Sequence, residues 1–365
     1  MSASNPVVFA TIILSLANLN SLIPSVLAAA AAAAEQTPIG DTGHGHGHKG
    51  FDIPSIGLGL WNSKDGDATH AVEYAFAAGY RHLDSAAAYG NEAYVGRALS
   101  KHNSSSSSSP PSSRAQYWIT SKLWNTEHRP HRVEPALDKT LSDLSIPYLD
   151  LYLMHWPVAF LPDAPPGRTI VDQDTDILTT WKAMEDLVRT NRTRHIGVSN
   201  FSPRQLDTIL KNCKICPYAH EFETHPYLQQ QEFVDWHAQH DIKVIAYSPL
   251  ANMNPTYKNK HSELPKILED PFWKDLASRK NVTTAQAVLG WGIQRGTIVI
   301  PKSVHEKYIF ENIASVNVTF TKDEMTEIAA QDKRSRFNNP SKDWGVDLFE
   351  DLDDGATPRF WIEEL

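Results

Sequence analysis

The chain has 365 residues, 41% of them hydrophobic and 10% aromatic, and a formal charge of −9 from 34 basic and 43 acidic side chains. That composition excludes a disordered or fibrous protein. The acidic balance, with no basic block, excludes a nucleic-acid partner, which needs clustered Lys and Arg to neutralise phosphates. The two cysteines, Cys213 and Cys216, are too few for a disulfide scaffold or a four-cysteine zinc site, so stability must come from an apolar core.

The first 34 residues differ from the rest. No charged residue lies between Val7 and Ala34, and the run closes on seven alanines, Ala28 to Ala34. An apolar stretch followed by small residues resembles a secretory signal with A-x-A cleavage sites. Against this, its start carries no Lys or Arg, and Asn18, Asn20 and Pro24 interrupt it. A low-complexity tail and a membrane anchor are the alternatives, and an anchor needs roughly 20 cleaner apolar residues. Cleavage would place the protein in the secretory pathway or outside the cell and open the sequons at Asn103, Asn191, Asn281 and Asn317 to glycosylation. Without it the protein is cytoplasmic, and membrane contact is expected only if the segment is retained. Residues 35–50 read as a linker, in which His44, His46 and His48 alternate with glycine as a solvated connector rather than a metal site.

Strand-length apolar runs then recur at 55–61, 81–85, 117–122, 149–156, 195–200, 218–223, 242–248 and 297–303. Helical periodicity spans 68–78, 91–100, 132–144, 177–189, 203–211, 229–240 and 283–294, and a last segment, 305–314, follows the final strand. Strict strand–helix alternation predicts a parallel sheet with right-handed crossovers. Eight such units predict an α/β fold, a single (β/α)8 TIM barrel over 51–335 with a C-terminal loop and tail over 336–365. The serine run 104–109 with Pro110 and Pro111 is a loop insertion, because the same rhythm resumes beyond it.

Asp84, Lys122, His155, Asn200, Glu223 and Ser303 each fall at or just past the C-terminal end of a strand run. In a barrel those ends form one rim, where active sites assemble. Four residues make a coherent set. Tyr89 is a poor acid at its ordinary pKa near ~10. A neighbouring Lys122 would lower that pKa, Asp84 would pair with the lysine, and a neutral His155 would orient a substrate oxygen.

These residues sit in the motifs HLDSAAAYGNE (82–92), SKLWN (121–125), MHWP (154–157), IGVSNF (196–201), HPYL (225–228), AYSPL (246–250) and IPKS (300–303). In this order, from about Phe51 to Phe349, the chain resembles the aldo-keto reductases, and the series is similar to fungal NADP-dependent aldehyde and glycerol-type reductases. The resemblance implies an NADP-dependent oxidoreductase acting on the CH–OH group of donors, with reversible, NADPH-dependent reduction of aldehydes or ketones to alcohols. It implies Tyr89 as proton donor, tuned by Lys122 and Asp84, with His155 orienting the carbonyl. It sets Tyr247 against the nicotinamide, Ser199 and Asn200 on its carboxamide, and Ser248 and Leu250 along the pyrophosphate. It sets Lys302 and Ser303 on the 2′-phosphate and Glu311 and Asn312 beside the adenine.

Three positions depart from the family pattern. Glu221 stands where a glutamine usually meets the carboxamide; an ionised carboxylate accepts from an amide but cannot donate. Tyr308 replaces the arginine usual on the 2′-phosphate, losing a bidentate, charge-assisted contact. Leu60 stands where a threonine is common. NADPH is the expected cofactor, with NADH secondary.

Trp61, Trp124 and Trp156 follow strand runs one, three and four and are expected to line the substrate pocket, with Trp344 from the 336–349 loop closing over it. A small carbonyl compound is the expected partner, and a hydroxylated aldehyde such as glyceraldehyde suits indole donors. A monomer is expected. The Cys213–Cys216 spacing sits between a helix and a strand rather than opening a helix, which favours two ordinary thiols or a local disulfide over redox catalysis. Two other classes compete: a cofactor-binding but non-catalytic barrel subunit, and a secreted structural protein. The first would be favoured by loss of any one of Asp84, Tyr89, Lys122 and His155, and all four are present. Genuine secretion would sit awkwardly with NADPH, which is scarce outside cells.

Overall fold

A computed structural model describes residues 52–104, 113–257, 261, 263–349 and 352. The signal-like segment, the His/Gly linker, most of the serine run and the far end of the tail lie outside these residues. The elements, in chain order, are β1 (Leu58–Gly59), α1 (Asp65–Ala78), β2 (His82–Asp84), α2 (Glu92–Ser104), β3 (Trp118–Leu123), α3 (Pro130–Leu144), β4 (Leu149–Met154) and α4 (Ile177–Arg189). There follow β5 (Thr193–Ser199), α5 (Pro203–Leu210), β6 (Ala219–Glu223), α6 (Gln231–Gln239) and β7 (Lys243–Tyr247). The chain continues with α7 (Pro271–Lys280), α8 (Thr284–Gln294), β8 (Ile298–Val299), α9 (Glu306–Ile313), α10 (Lys322–Ala329) and α11 (Ser341–Trp344).

The eight strands pair in sequence order and every neighbouring pair is parallel. The ring closes between β8 and β1, where the Gly57 N–H donates to Val299 O at 2.9 Å and the Val299 N–H donates to Ser55 O at 2.9 Å. A side chain at Gly59 would put its Cβ 2.7 Å from the Ile300 carbonyl, so only glycine lets the two edges meet here. The regular ladder of β1 and β8 is two residues each, shorter than the apolar runs, because isolated bridges rather than continuous pairs carry the closure. This is the predicted (β/α)8 barrel.

Alternation along β4 separates two cores. Leu151 and Leu153 point inward and join Trp118, Ala219, Ile245, Ile298 and Ile300 inside the barrel. Tyr152 and Met154 point outward into the layer between sheet and helices. Each such fully buried side chain contributes about 1.5–3 kcal/mol.

Helices α7 and α10 do not appear in the sequence reading, because α7 is a second helix beside α8 between β7 and β8, and α10 follows the last strand. They form with α8 a second core around Trp273, Trp291, Phe320 and Ile328. Local signals specify both: Asp270 caps α7, accepting from the Phe272 N–H at 2.9 Å, and Thr321 with Glu324 makes a capping box on α10. Of the two readings of the cysteine pair, the local disulfide is observed, joining Cys213 to Cys216 in the turn between α5 and β6. Among the described residues no helix is long and apolar enough to cross a membrane, and no cluster of metal-ligating side chains occurs.

Candidate active site

Strand parity places the central charge. Lys122 has the inward parity of Trp118 on β3, so its ammonium enters the barrel, where the side chain is completely buried. An ammonium there is stable only if paired. Its Nζ lies 2.6 Å from Asp84 Oδ1, at the end of β2, and donates to Ser85 O at 3.0 Å and to the Tyr89 hydroxyl at 3.3 Å. Tyr89 is set by the short turn Ala87–Tyr89 after β2, ended by Gly90 at φ 66°, a left-handed conformation suited to glycine. A second carboxylate completes the shell: Glu221 shares the inward parity of Ala219 on β6, and its Oε1 lies 3.3 Å from the same ammonium.

These contacts oppose burial with charge. Burial works against the Lys122 ammonium, but Asp84, Glu221 and Tyr89 outweigh it and hold the lysine protonated. The expectation that lysine makes Tyr89 a stronger acid than a free tyrosine is corrected: burial pushes the phenol up, Asp84 and Glu221 add to the rise, and Lys122 reverses only part of it. Tyr89 therefore remains a proton-carrying phenol at neutral pH. Burial, with Lys122 and His128 nearby, holds His155 well below the usual histidine range, so the ring is neutral as expected. Burial and Asp84 likewise push the Glu221 carboxyl well above the usual carboxylate range, so it is not the ionised group the sequence suggested.

One cavity of about 720 Å³ opens above this cluster. Asp84, Tyr89 and His155 line it, as do nine of the eleven positions set along the cofactor: Ser199, Asn200, Glu221, Tyr247, Ser248, Leu250, Lys302, Ser303 and Tyr308. The cleft is thus continuous from the buried carboxylates to an exposed lysine, a shape and donor set that fit a nicotinamide dinucleotide. Glu311 and Asn312 do not line it; Asn312 is buried on α9. Asn200 acts largely as a brace: its Nδ2 donates to His155 O and Ser199 Oγ, both at 3.0 Å, and its Oδ1 accepts from the Tyr247 hydroxyl at 2.7 Å. Leu60 also lines the cleft.

The other end is aromatic. Trp61, Trp124 and Trp156 all reach the cavity, and Trp344 on α11 stands edge-on to Trp156 with ring centroids 4.9 Å apart. Rim residue Glu223 does not face the cavity. Its carboxylate instead accepts the Phe337 N–H at 2.7 Å and the Asn338 N–H at 2.8 Å, anchoring the C-terminal loop. Asn338, which sequence reading missed, lines the cavity and donates from Nδ2 to the Tyr247 hydroxyl at 3.2 Å. Tyr257 was missed as well; it lines the cavity and shares a 2.6 Å hydrogen bond with Ser248 Oγ. Neither carries a periodic or strand-end signal.

Residues 55–333 match the Aldo/keto reductase family. An uncharacterized oxidoreductase of Schizosaccharomyces pombe is 42% identical over 84% of this chain and 94% of its own length. Aldo-keto reductase family 1 member A1 of Sus scrofa is 42% identical over 80% of this chain and 90% of its own. Among solved structures, the aldose reductase from Schistosoma japonicum superposes with a TM-score of 0.74 at 35% identity, covering 84% of this chain and 97% of that one.

Proposed function

The chain belongs to the aldo/keto reductase family, and on that premise we propose that it reduces aldehydes or ketones to alcohols with NADPH, reversibly, using Tyr89 as the proton donor. The observation that carries this reading is the Tyr89 hydroxyl, 3.3 Å from a buried ammonium and lining the same cleft as the His155 ring. When bound, the nicotinamide supplies the hydride. Tyr89 donates its proton to the substrate oxygen as negative charge develops there. Lys122 stabilises the phenolate left behind, and Asp84 fixes the lysine. His155 donates a hydrogen bond that orients the carbonyl and, being neutral, does not compete as an acid.

Tyr247, Ser199, Asn200 and Glu221 would hold the nicotinamide end, while Lys302 and Ser303 would hold the 2′-phosphate, with NADH as a weaker alternative. Trp61, Trp124, Trp156 and Trp344 enclose the substrate and exclude water from the reacting carbon. The test is NADPH oxidation by the full chain with glyceraldehyde and with an aromatic aldehyde, NADH run in parallel. Turnover supports the reading, whereas tight cofactor binding without turnover on any aldehyde or ketone would favour a cofactor-binding barrel that does not catalyse.

A further inference from the structure

The cluster around Lys122 holds more negative charge than the lysine can neutralise. Asp84 and Glu221 are both buried, and both contact the one ammonium, at 2.6 and 3.3 Å. Each also has a second oxygen, Asp84 Oδ2 and Glu221 Oε2, that is fully buried and meets no donor among the described residues. A carboxylate oxygen buried without a donor is costly. The two carboxyl groups, however, flank the same ammonium, so each lies in the field of the other. One proton held by the pair would relieve that cost and bring the cluster to neutrality.

We propose that Asp84 and Glu221 share a single proton, carried by Glu221, and that the pair releases it to solvent when an oxidised, positively charged nicotinamide binds beside it. The inference rests on the cofactor assignment above. Glu221 is the carrier because the shorter contact to Lys122 keeps Asp84 ionised. A neutral Glu221 keeps a carbonyl acceptor like that of the glutamine usual at this position, while its single O–H, unlike the two N–H donors of glutamine, is shared with Asp84. The chain thereby gains a switch that glutamine lacks. A cationic ring beside the pair favours the doubly ionised form, whereas the uncharged dihydronicotinamide leaves the proton in place. Both carboxylates line the open cleft, so the proton has a route out.

The surrounding groups leave this assignment intact. Lys122 and Tyr89 face the pair directly, and His155, with its ring centroid 6.0 Å from that of Tyr89, is neutral. The strand neighbours in register are uncharged: Gly59 and Thr120 beside Asp84, Ser199 and Ile245 beside Glu221. Glu92, on the far side of β3, is engaged by Ser121 and Thr140.

Calorimetric titration of the full chain with NADP+ and with NADPH, each in two buffers of different ionisation enthalpy, counts the protons released. The adenosine half is common to both cofactors, so the difference isolates the nicotinamide end. More protons are expected to leave with NADP+ than with NADPH. NADP+ affinity should gain on NADPH by up to about tenfold per pH unit across the transition. Equal release in the wild-type protein overturns the proposal, as does a difference that survives in Glu221→Gln. Infrared spectra without cofactor provide a second readout: a protonated-carboxyl band should be lost in Glu221→Gln but kept in Glu92→Gln, which removes the separate band of buried Glu92, and a Glu221→Gln spectrum identical to the wild type overturns the shared proton. Failure of both cofactors to bind would count against the functional reading instead, and the infrared comparison would still decide the pair.

Discussion

The Tyr89 hydroxyl lies 3.3 Å from the Lys122 ammonium, and Lys122 in turn lies 2.6 Å from Asp84. Burial makes the phenol reluctant to ionise, so in the proposed reaction its proton would leave only when a substrate oxygen becomes basic enough to take it, and the ammonium would then meet the phenolate. Tyr89→Phe removes the proton but not the ring. It should lower kcat by roughly 10²–10⁴-fold, the usual contribution of a positioned acid, while cofactor affinity measured by tryptophan fluorescence stays unchanged. Turnover near the wild-type rate would remove Tyr89 from the acid role. Lys122→Met should be worse for the fold than for binding. It leaves two carboxyls buried without their cation, at a cost of about 3–5 kcal/mol, visible as a lowered Tm.

At the other end of the cleft, Lys302 is an exposed cation and Tyr308 is half exposed, 50% of its surface open. A phenol supplies at most one neutral hydrogen bond to a phosphate, so under the proposed assignment Lys302 would bear the charge recognition alone at these two positions. Lys302→Ala should therefore weaken NADPH by about 1.5–3 kcal/mol, the range for a charge-assisted bond, and leave NADH nearly unchanged. Tyr308→Arg should strengthen the preference for NADPH. Equal losses for both cofactors in Lys302→Ala would defeat the phosphate assignment.

Strand ends explain why so much of this cleft was legible before any coordinates. A barrel converts position along a strand into position on a rim, so Asp84, Lys122, His155 and Asn200 could be grouped from sequence once eight alternating units were counted. What parity decides was harder to see. Glu221 and Glu223 are both inward on β6, yet only Glu221 lines the cavity while Glu223 turns to the C-terminal loop. Their division of labour depends on what packs opposite each one. The ionisation of Glu221 was illegible for the same reason: a lone carboxylate is expected to ionise, and its burial together with its juxtaposition with Asp84 reverses that. Helices α7 and α10 had good caps but no place in an alternation read strand by strand, and Asn338 joins the site through a loop of no regular period.

Glu223 gives the loop a discrete anchor. Its two oxygens accept from Phe337 and Asn338, and His225 Nε2 lies 2.9 Å from Oε1, contacts that hold the carboxyl below the usual range despite its burial. Glu223→Gln can still accept but places an NH2 group against a backbone N–H, so one donor loses its partner at about 1–3 kcal/mol. The loop carries Trp344 over the substrate end and Asn338 onto Tyr247. The variant should therefore raise KM for the carbonyl more than it lowers kcat, and expose Phe337–Trp344 to faster amide exchange. Unchanged KM with unchanged exchange would show that the loop is held elsewhere.

Glu92 supplies the clearest pH test, because it takes no part in the chemistry. It is buried at the start of α2, accepting from Ser121 Oγ at 2.6 Å and Thr140 Oγ1 at 3.0 Å, and so ties α2 to β3 and α3. Burial pushes its carboxyl from 4.5 up to about 7, with those hydroxyls opposing the rise. Between these two values the folded protein keeps a proton that the unfolded chain has released. The unfolded state therefore binds fewer protons, and stability declines as pH rises from the lower value through the upper. The full shift corresponds to about 3 kcal/mol, order of magnitude. Glu92→Gln preserves size and an acceptor but cannot titrate. Its Tm should fall less than that of the wild type as pH increases through neutrality, with the two curves diverging above the unfolded carboxylate range. Parallel curves would mean that Glu92 is ionised in the folded protein and that the Ser121 and Thr140 hydroxyls suffice to hold the charge.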